Sequence, residues 1–214
     1  MRHKSMFLFL GMLAIAFLRL FSWGTPSRAA QASPSPIRLQ AGTFVPSIGE
    51  SLAISPELSV TELAADSNGY YIVQFAGPGQ EAWIAQVTDL GGELLDYIPD
   101  NAFKVRITAG QAARIAGSKS VVWVGAFQPA YKISPSVDLG RRNLLRVRVA
   151  RGADAARAAA AVAGSGAAVL ERDGDYLLVA AEPRQVAGIA QVYDVAWIEP
   201  FLLPEKHNDY GAGV

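Results

Sequence analysis

The sequence predicts an α+β protein made of two tandem units, each a four-stranded antiparallel sheet with two helices on one face. The first observation is a duplicated strand: residues 121–127 (VVWVGAF) recur as residues 195–201 (VAWIEPF), 74 positions later. The second is a short exit segment after each strand that ends in a lysine, Lys132 and Lys206, again 74 apart. An offset that holds over strand and tail is typical of an internal repeat.

The repeat extends upstream without a gap. Residues 71–75 align with residues 145–149 at the same offset. Further pairs that keep the offset are Gly92 and Gly166, Phe103 and Leu177, Val105 and Val179, Gln111 and Gln185, and Ile115 and Ile189. The repeated units are therefore residues 71–132 and 145–206.

The first unit is predicted to run strand, helix, strand, strand, helix, strand. Aromatic and β-branched residues indicate a strand over 70–75, and glycine and proline at 77–79 indicate a turn. Trp83, Val87 and Leu90 lie on one face of a helix over 81–90, which the two glycines at 91–92 end. Strands follow over 93–98 and 102–107, and Thr108 is the expected N-cap of a helix over 109–116. The strand 121–127 closes the unit.

The second unit repeats this layout with smaller side chains. A strand over 144–150 leads to an alanine-rich helix over 155–163, for which Asp154 is the N-cap. Strands over 167–172 and 176–181 form a hairpin across Asp173-Gly174. Pro183 begins a helix that reaches about residue 190, because proline is tolerated at the first helical position. The strand 195–201 comes last.

Both units thus predict the split β-α-β-β-α-β arrangement of ferredoxin-like domains. We assign domain 1 to residues 70–132, a linker to 133–143 and domain 2 to 144–206, with an exit tail at 207–214. Both helices should cover one face of each sheet and leave the other face free. The tryptophans Trp83, Trp123 and Trp197 are expected to be core anchors.

Residues 1–32 are predicted to be a secretory signal peptide. Arg2, His3 and Lys4 form a basic start, and an apolar run over 6–18 is too short to span a bilayer. A small-x-small site at 30–32 places cleavage between Ala32 and Ser33; an uncleaved anchor is the alternative. The protein is therefore expected to be secreted or extracytoplasmic. Cleavage removes four of the 19 basic residues and no acid, leaving 15 basic against 19 acidic residues.

Residues 33–69 show no sustained period. Their apolar residues, such as Phe44, Leu52 and Ile54, are scattered among prolines and glycines. We expect an extended lead-in that docks apolar side chains on the first domain, with at most a short strand near 43–45 and a helical turn near 60–65.

The sequence offers no coherent catalytic, metal or cofactor site. It contains no cysteine and two histidines, of which His3 is in the signal and His207 is interpreted as a solvated tail residue. No metal, nucleotide or other cofactor motif appears. Residues 77–80 before the first helix are interpreted as a strand-to-helix turn rather than as an anion site. Nucleic acid is not expected as a partner, because the exported part is mildly acidic and the strand 101–107 lacks base-stacking aromatics.

Four segments resemble a known family. They are residues 42–46 (GTFVP), 71–78 (YIVQFAGP), 95–103 (LDYIPDNAF), and 122–125 (VWVG) followed by 128–132 (QPAYK). Together they resemble the amino-terminal pro-region of secreted bacterial subtilisin-like serine proteases. The resemblance covers roughly residues 37–132 and extends more weakly, through the repeat, to 145–206.

The resemblance implies an intramolecular chaperone and inhibitor whose partner is a subtilisin-like protease domain, in cis or in trans. Such a pro-region lays its open sheet face on the protease and its carboxyl-terminal tail in the substrate cleft. The corresponding tail here is Phe201, Leu202, Leu203, Pro204, Glu205, Lys206 and His207. Because only this tail adjoins the position of the protease domain, we expect the second unit to inhibit and the first to be accessory.

No catalytic residue of the family can be assigned, because the Asp, His and Ser motifs of the protease domain are not in this sequence. The chain itself is therefore expected not to be an enzyme. It is either a piece of a precursor whose parent is a serine endopeptidase, or a free-standing relative of the pro-region. The alternatives are an exported inhibitor or peptide-binding module of tandem ferredoxin-like domains and, least favoured, an enzyme with an unrecognised site.

Overall fold

The computed structural model describes residues 35–60 and 64–202, and every structural statement below concerns these residues. They form an α+β structure with two four-stranded antiparallel sheets, four α-helices and a small two-stranded hairpin. The predicted fold class is confirmed at this level. Both sheets belong to one compact unit.

The strands and helices follow the predicted order along the chain. The lead-in hairpin consists of β1 (Ile37–Leu39) and β2 (Gly42–Phe44). The first sheet and its helices are β3 (Asn68–Phe75), α1 (Glu81–Asp89), β4 (Glu93–Ile98), β5 (Ala102–Thr108), α2 (Ala109–Ala116) and β6 (Val121–Ala126). The second are β7 (Asn143–Val149), α3 (Ala155–Gly164), β8 (Ala168–Asp173), β9 (Tyr176–Ala181), α4 (Pro183–Gln191) and β10 (Val195–Pro200).

The two sheets have the same strand order. The first runs β4-β5-β3-β6 and the second β8-β9-β7-β10, and every pairing is antiparallel. The strands β6 and β10 begin 74 positions apart, as do β5 and β9 and the helices α2 and α4. The repeat found in the sequence is therefore a repeat of structure, element for element.

Local capping explains why the helices begin where they do. The hydroxyl of Thr108 accepts a hydrogen bond from the backbone N–H of Gln111 at 3.2 Å, and the Gln111 side chain accepts from the Thr108 N–H in return. This capping box satisfies two N–H groups that the helix leaves unpaired. The carboxylate of Asp154 accepts from the first N–H groups of α3 in the same way. Both predicted N-caps are confirmed.

Each sheet buries one face under its own two helices. In the first, Tyr71, Val73 and Phe75 of β3 pack against Val87 of α1 and Ile115 of α2. In the second, the alternate residues Leu145, Val147 and Val149 of β7 pack against α3 and α4, with Val162 and Ile189 at the centre. The alternation places both helices of a unit on the same side of its sheet.

The opposite face of the first sheet is also covered, by the lead-in. Ile37 and Phe44 of the hairpin pack on Ile72 of β3, together with Tyr131, and all four are buried. The prediction that the first sheet leaves a face free is therefore wrong. The physical reason is that β3 is apolar on both faces, so both must be removed from water. The lead-in packs its apolar side chains on the first sheet, as expected.

The hairpin of the lead-in was only partly anticipated. The expected strand near 43–45 is present as β2, but its partner β1 was not foreseen. The side-chain amide of Gln74 closes this layer, donating to the carbonyls of Ser35 and Asp100, each at 3.2 Å. The helical turn expected near 60–65 falls partly on residues 61–63, outside the described part of the chain.

The exit segment of the first unit (Gln128 to Ser134) ties the two units together. It forms a 3₁₀ turn, Pro129–Lys132, and then lies beside β10, where Ile133 forms a parallel bridge with Ile198. The backbone N–H of Ser134 donates to the Ile198 carbonyl at 2.8 Å. The exit segment thus adds main-chain contacts to the outer edge of the second sheet, since β10 is an edge strand.

Because the lead-in covers one face of the first sheet, we expect truncation of a buried lead-in side chain to lower the free energy of unfolding strongly. We expect Phe44→Ala to lower the free energy of unfolding by about 3–4 kcal/mol, because it leaves a cavity between Trp123 and Tyr131. The matched control is Ile48→Ala, an exposed lead-in position where we expect a change within about 0.5 kcal/mol. Urea unfolding measures both. Equal costs at the two positions would show that the lead-in does not cover the sheet.

Candidate functional site

The face of the second sheet opposite its helices is uncovered in the described residues. We call this surface the bare face. It consists of Leu144, Arg146 and Arg148 of β7, Tyr176, Leu178 and Ala180 of β9, and Trp197 and Glu199 of β10. These positions alternate with the buried core residues of the same strands, so their side chains leave the opposite side of the sheet.

The bare face exposes apolar groups, and one of its two arginines is paired within the face. Leu144 is 39 % exposed, Tyr176 is exposed and Leu178 is half-buried. The guanidinium of Arg146 lies 2.6 Å from the Glu199 carboxylate and 5.4 Å from the Tyr176 ring centre. Exposed apolar and aromatic side chains beside arginine are a composition found in protein–protein contacts.

The tail predicted to enter a protease cleft leaves the sheet beside this face. After β10 the backbone N–H of Phe201 donates to the carbonyl of Leu144 at 2.8 Å, and Leu202 is 80 % exposed. Phe201 also lines a cavity of 500 Å³ with Arg146, Tyr176 and Leu178. The structure therefore brings Phe201 to the bare face, and Leu202 follows it as an exposed residue.

The remaining predicted site residues lie outside the described part of the chain. They are Leu203, Pro204, Glu205, Lys206 and His207 of the tail, and Ala32 and Ser33 at the expected signal cleavage site.

The three tryptophans are not equivalent. Trp83 and Trp123 pack against the cores of the first unit, as expected. Trp197 is absent from the core of the second unit and lies half-buried on the bare face, where its indole Nε1 donates to Glu199 at 3.1 Å. Its interpretation as a core anchor is wrong, because the sheet position that holds it has no covering layer.

A trough between the two units is a second concave feature, and the sequence did not indicate it. Two adjoining cavities, of 230 and 540 Å³, share Asp96, Lys104 and Ala196 in their walls. We call the combined feature the trough. One side is β4 of the first sheet, and the other is formed by Arg148, Ala196 and Trp197 of the second unit. The trough meets the bare face at Arg148 and Trp197.

Lys104 is buried at the centre of the trough. It is 6 % exposed, and its Nζ lies 4.5 Å from the ring centre of Tyr70 and 4.3 Å from that of Phe127. Burial lowers the pKa of Lys104 to about 8, and the charge of Arg148 lowers it further, while Asp96 acts in the opposite direction. The aromatic faces offset part of the desolvation cost of the ammonium group.

A second buried lysine, Lys132, lies in the exit segment. It is 4 % exposed, and its Nζ donates to the carbonyl of Val192 at 2.9 Å. Burial lowers the pKa of Lys132 to about 7, and the positive charge of Lys104 adds to this effect against the attraction of Asp194. Beside it, the rings of Tyr70 and Tyr193 stack at 4.6 Å across the junction of the two units. This junction buries two cations with no carboxylate within 4 Å among the described residues.

Sequence signals for these features exist but are weak. In β7 the buried residues alternate with arginines, which indicates a solvated face, whereas β3 is apolar at nearly every position. Lys104 alternates with Phe103 and Val105 along β5, and this pattern does not by itself predict its burial.

Comparison with known proteins assigns no activity. A family described as a domain of unknown function (DUF8729) matches residues 38–128, a segment that comprises the lead-in hairpin and the first sheet. No curated protein matches the chain. In the described ranges, no helix is both long and apolar enough to cross a membrane, and no group of His, Cys, Asp and Glu is arranged to hold a metal ion.

Because Lys104 and Lys132 are buried, we expect the free energy of unfolding to rise with pH. Between about pH 7 and 10 both lysines are neutral more often in the folded state than in the unfolded state, where the pKa is 10.5. The unfolded state then binds more protons, so the free energy of unfolding increases by up to about 1.4 kcal/mol per pH unit for each lysine. Above about pH 10 the trend reverses, because burial raises the pKa values of Tyr70, Tyr71 and Tyr131.

We expect the variant Lys132→Met to reduce this rise in the free energy of unfolding by at least half. Urea unfolding from pH 6 to pH 9.5, roughly the range in which the lysines make stability depend on pH, measures it. Lys119→Met is the control, since Lys119 is exposed and should leave the slope unchanged. A wild-type stability that is constant over this range would contradict the burial of both lysines.

Proposed function

We propose that this chain is the pro-region of a secreted subtilisin-like serine protease and acts as its intramolecular chaperone and cleft-blocking inhibitor. In this proposal each unit is a ferredoxin-like domain, and residues 1–32 direct export. The partner is a folded subtilisin-like protease domain, encoded in cis or in trans. The chain contributes binding surface and no catalytic residue.

The observation that carries the proposal is an asymmetry between the two copies. In the first unit, the lead-in covers the face opposite the helices, and the exit segment lies along β10. In the second unit, the equivalent face is bare in the described residues, and the chain leaves it with Leu202 exposed. The second unit therefore offers the surface and the tail that the first unit has already used within the chain. This supports an inhibitory second unit and an accessory first unit.

The exit segment of the first unit supplies a model for how the tail binds. Its residues Ile133 and Ser134 make main-chain contacts with an edge strand, while Pro129, Tyr131 and Lys132 are buried. We infer that the segment after Phe201 likewise makes main-chain contacts with an edge in the protease cleft, in extended form. In such strand addition, main-chain hydrogen bonds provide affinity and alternate side chains enter pockets.

The energetic role follows from binding only the folded protease. A ligand of the native state stabilises it by mass action, so the pro-region shifts the protease toward its folded form. If the bare face also contacts the part of the protease that forms first, it accelerates folding, because stabilising a folding nucleus lowers the barrier. The bare face and the tail together then supply the contact area, of which a stable complex needs about 800 Å² per partner.

Removal of the tail tests the inhibitory assignment. We expect deletion of residues 201–214 to abolish inhibition of the cognate subtilisin-like protease, because the bare face alone does not fill the cleft. The inhibition constant is measured with a chromogenic peptide substrate against the full chain. The control is Ile48→Ala, at an exposed lead-in position, which should leave both the fold and the inhibition constant unchanged. An inhibition constant unchanged by loss of 201–214 would reject the assignment.

Substitution on the bare face tests the docking surface separately. We expect Leu144→Glu to weaken association with the protease at least tenfold, since it places a charge in a contact that excludes water. Val122→Glu is the matched control, an exposed valine of the first sheet at a similar exposure. Both variants should keep the thermal unfolding midpoint within about 3 °C of the parent chain, as surface changes do. Equal affinities of the two variants would show that the bare face is not the contact.

A further inference from the structure

We propose that the trough is a second binding site, which takes an extended peptide segment through the carboxylate of an Asp or Glu side chain. Lys104 and Arg148 would hold the carboxylate, and the peptide would lie along the trough beside β4. This site does not depend on the protease contact proposed above. Three observations support it: the unpartnered lysine, the charge of the trough and the strand that forms its wall.

Lys104 lacks the partner that a buried cation normally has. Among the described residues it donates no hydrogen bond and has no carboxylate within 4 Å. Its Nζ lies over the rings of Tyr70 and Phe127, and the nearest acidic neighbour along the sheet is its register partner Asp96. In the described ranges, no polar side-chain atom is both fully buried and without a hydrogen-bond partner. Because the Nζ of Lys104 has no such partner, it is not fully buried and remains accessible from the trough. An ammonium group that is otherwise desolvated, and aimed into a cavity, provides a strong attraction for a negative ligand.

The charge of the trough also favours an anion. Its walls carry five cationic residues, Arg38, Lys104, Arg106, Arg148 and Arg151, against the two carboxylates Glu93 and Asp96. Arg38 and Arg106 are paired with Asp100 and Glu93, whereas Arg148 and Arg151 have no ion pair among the described residues. Asp96 is exposed, so solvent screens its charge.

A single carboxylate suits this donor set better than a phosphate group. One buried ammonium and one arginine provide donors for the two oxygens of a monoanion. A dianion would need more donors than these two residues provide. The rings of Tyr70, Phe127 and Trp197 line the same trough and provide apolar surface for the atoms next to the carboxylate.

The shape of the trough indicates a peptide rather than a compact ligand. Residues 93–99 all contribute to its wall, and they form the outer strand β4 of the first sheet and the start of its turn. The trough therefore follows the whole length of this strand. Lys104 lies in the walls of both cavities, so an extended segment that follows the trough beside β4 would pass its side chain.

Calorimetric titration of the full chain with two five-residue peptides tests the proposal. The first is acetyl-Thr-Val-Glu-Val-Thr-amide, and the second has Gln in place of Glu. We expect the Glu peptide to bind at least tenfold more tightly. Equal affinities, or no heat from either peptide at millimolar concentration, would overturn the proposal. Acetate is the third ligand: competition by acetate at the affinity of the Glu peptide would assign the site to free small carboxylates and overturn the peptide part.

Variants locate the site. Lys104→Met should remove the preference for Glu over Gln, and Lys119→Met should keep it. Arg148→Gln, at an exposed position, should weaken the Glu peptide at least threefold and tests the site without touching the buried lysine. A preference for Glu that survives both Lys104→Met and Arg148→Gln would overturn the assignment. The protease inhibition assay is independent of these titrations, so failure of one proposal is distinguishable from failure of the other.

Discussion

The rest of this structure depends on one constraint: the central strand β3 is apolar on both faces. Tyr71, Val73 and Phe75 need the helices, and Ile72 needs a second cover on the other side. The lead-in provides it, because burying both faces removes far more apolar surface from water than a two-layer fold does. At the repeat position of Ile72 the strand β7 has Arg146, which is stable in water. This difference agrees with a third layer on the first copy and an open face on the second.

The first unit, whose sheet is covered on both faces, contacts the second unit through its exit segment. Its exit segment, already packed under the lead-in through Tyr131, continues directly onto β10 and buries Lys132 at the junction. Burying this cation costs free energy. The hydrogen bond to the Val192 carbonyl and the apolar contacts of Tyr131 and Ile133 offset the cost. The junction thus joins the two units through both main-chain and side-chain contacts.

Local chemistry made the secondary structure predictable, whereas tertiary contacts decided what it exposes. The caps at Thr108 and Asp154 and the turn at Gly174 depend on neighbouring residues, so helix and strand ends agreed within one or two positions. The strand β1 has three residues, too few for a period. The burial of Lys104 and the exposure of Trp197 depend on which layer covers each sheet. A pattern of alternation reports that two faces differ, and it does not report what lies against them.

The two copies have diverged at equivalent positions toward opposite surface chemistries. Lys104 lies in the trough, and the residue 74 positions later is Leu178 on the bare face. The trough is concave, and its lysine between aromatic rings attracts a negative group. The bare face is open, and its leucine excludes water when a partner covers it. A partner that suits one surface does not suit the other. Duplication followed by such divergence produces two sites of different specificity within one compact unit, and this is why we treat the trough and the bare face as separate sites.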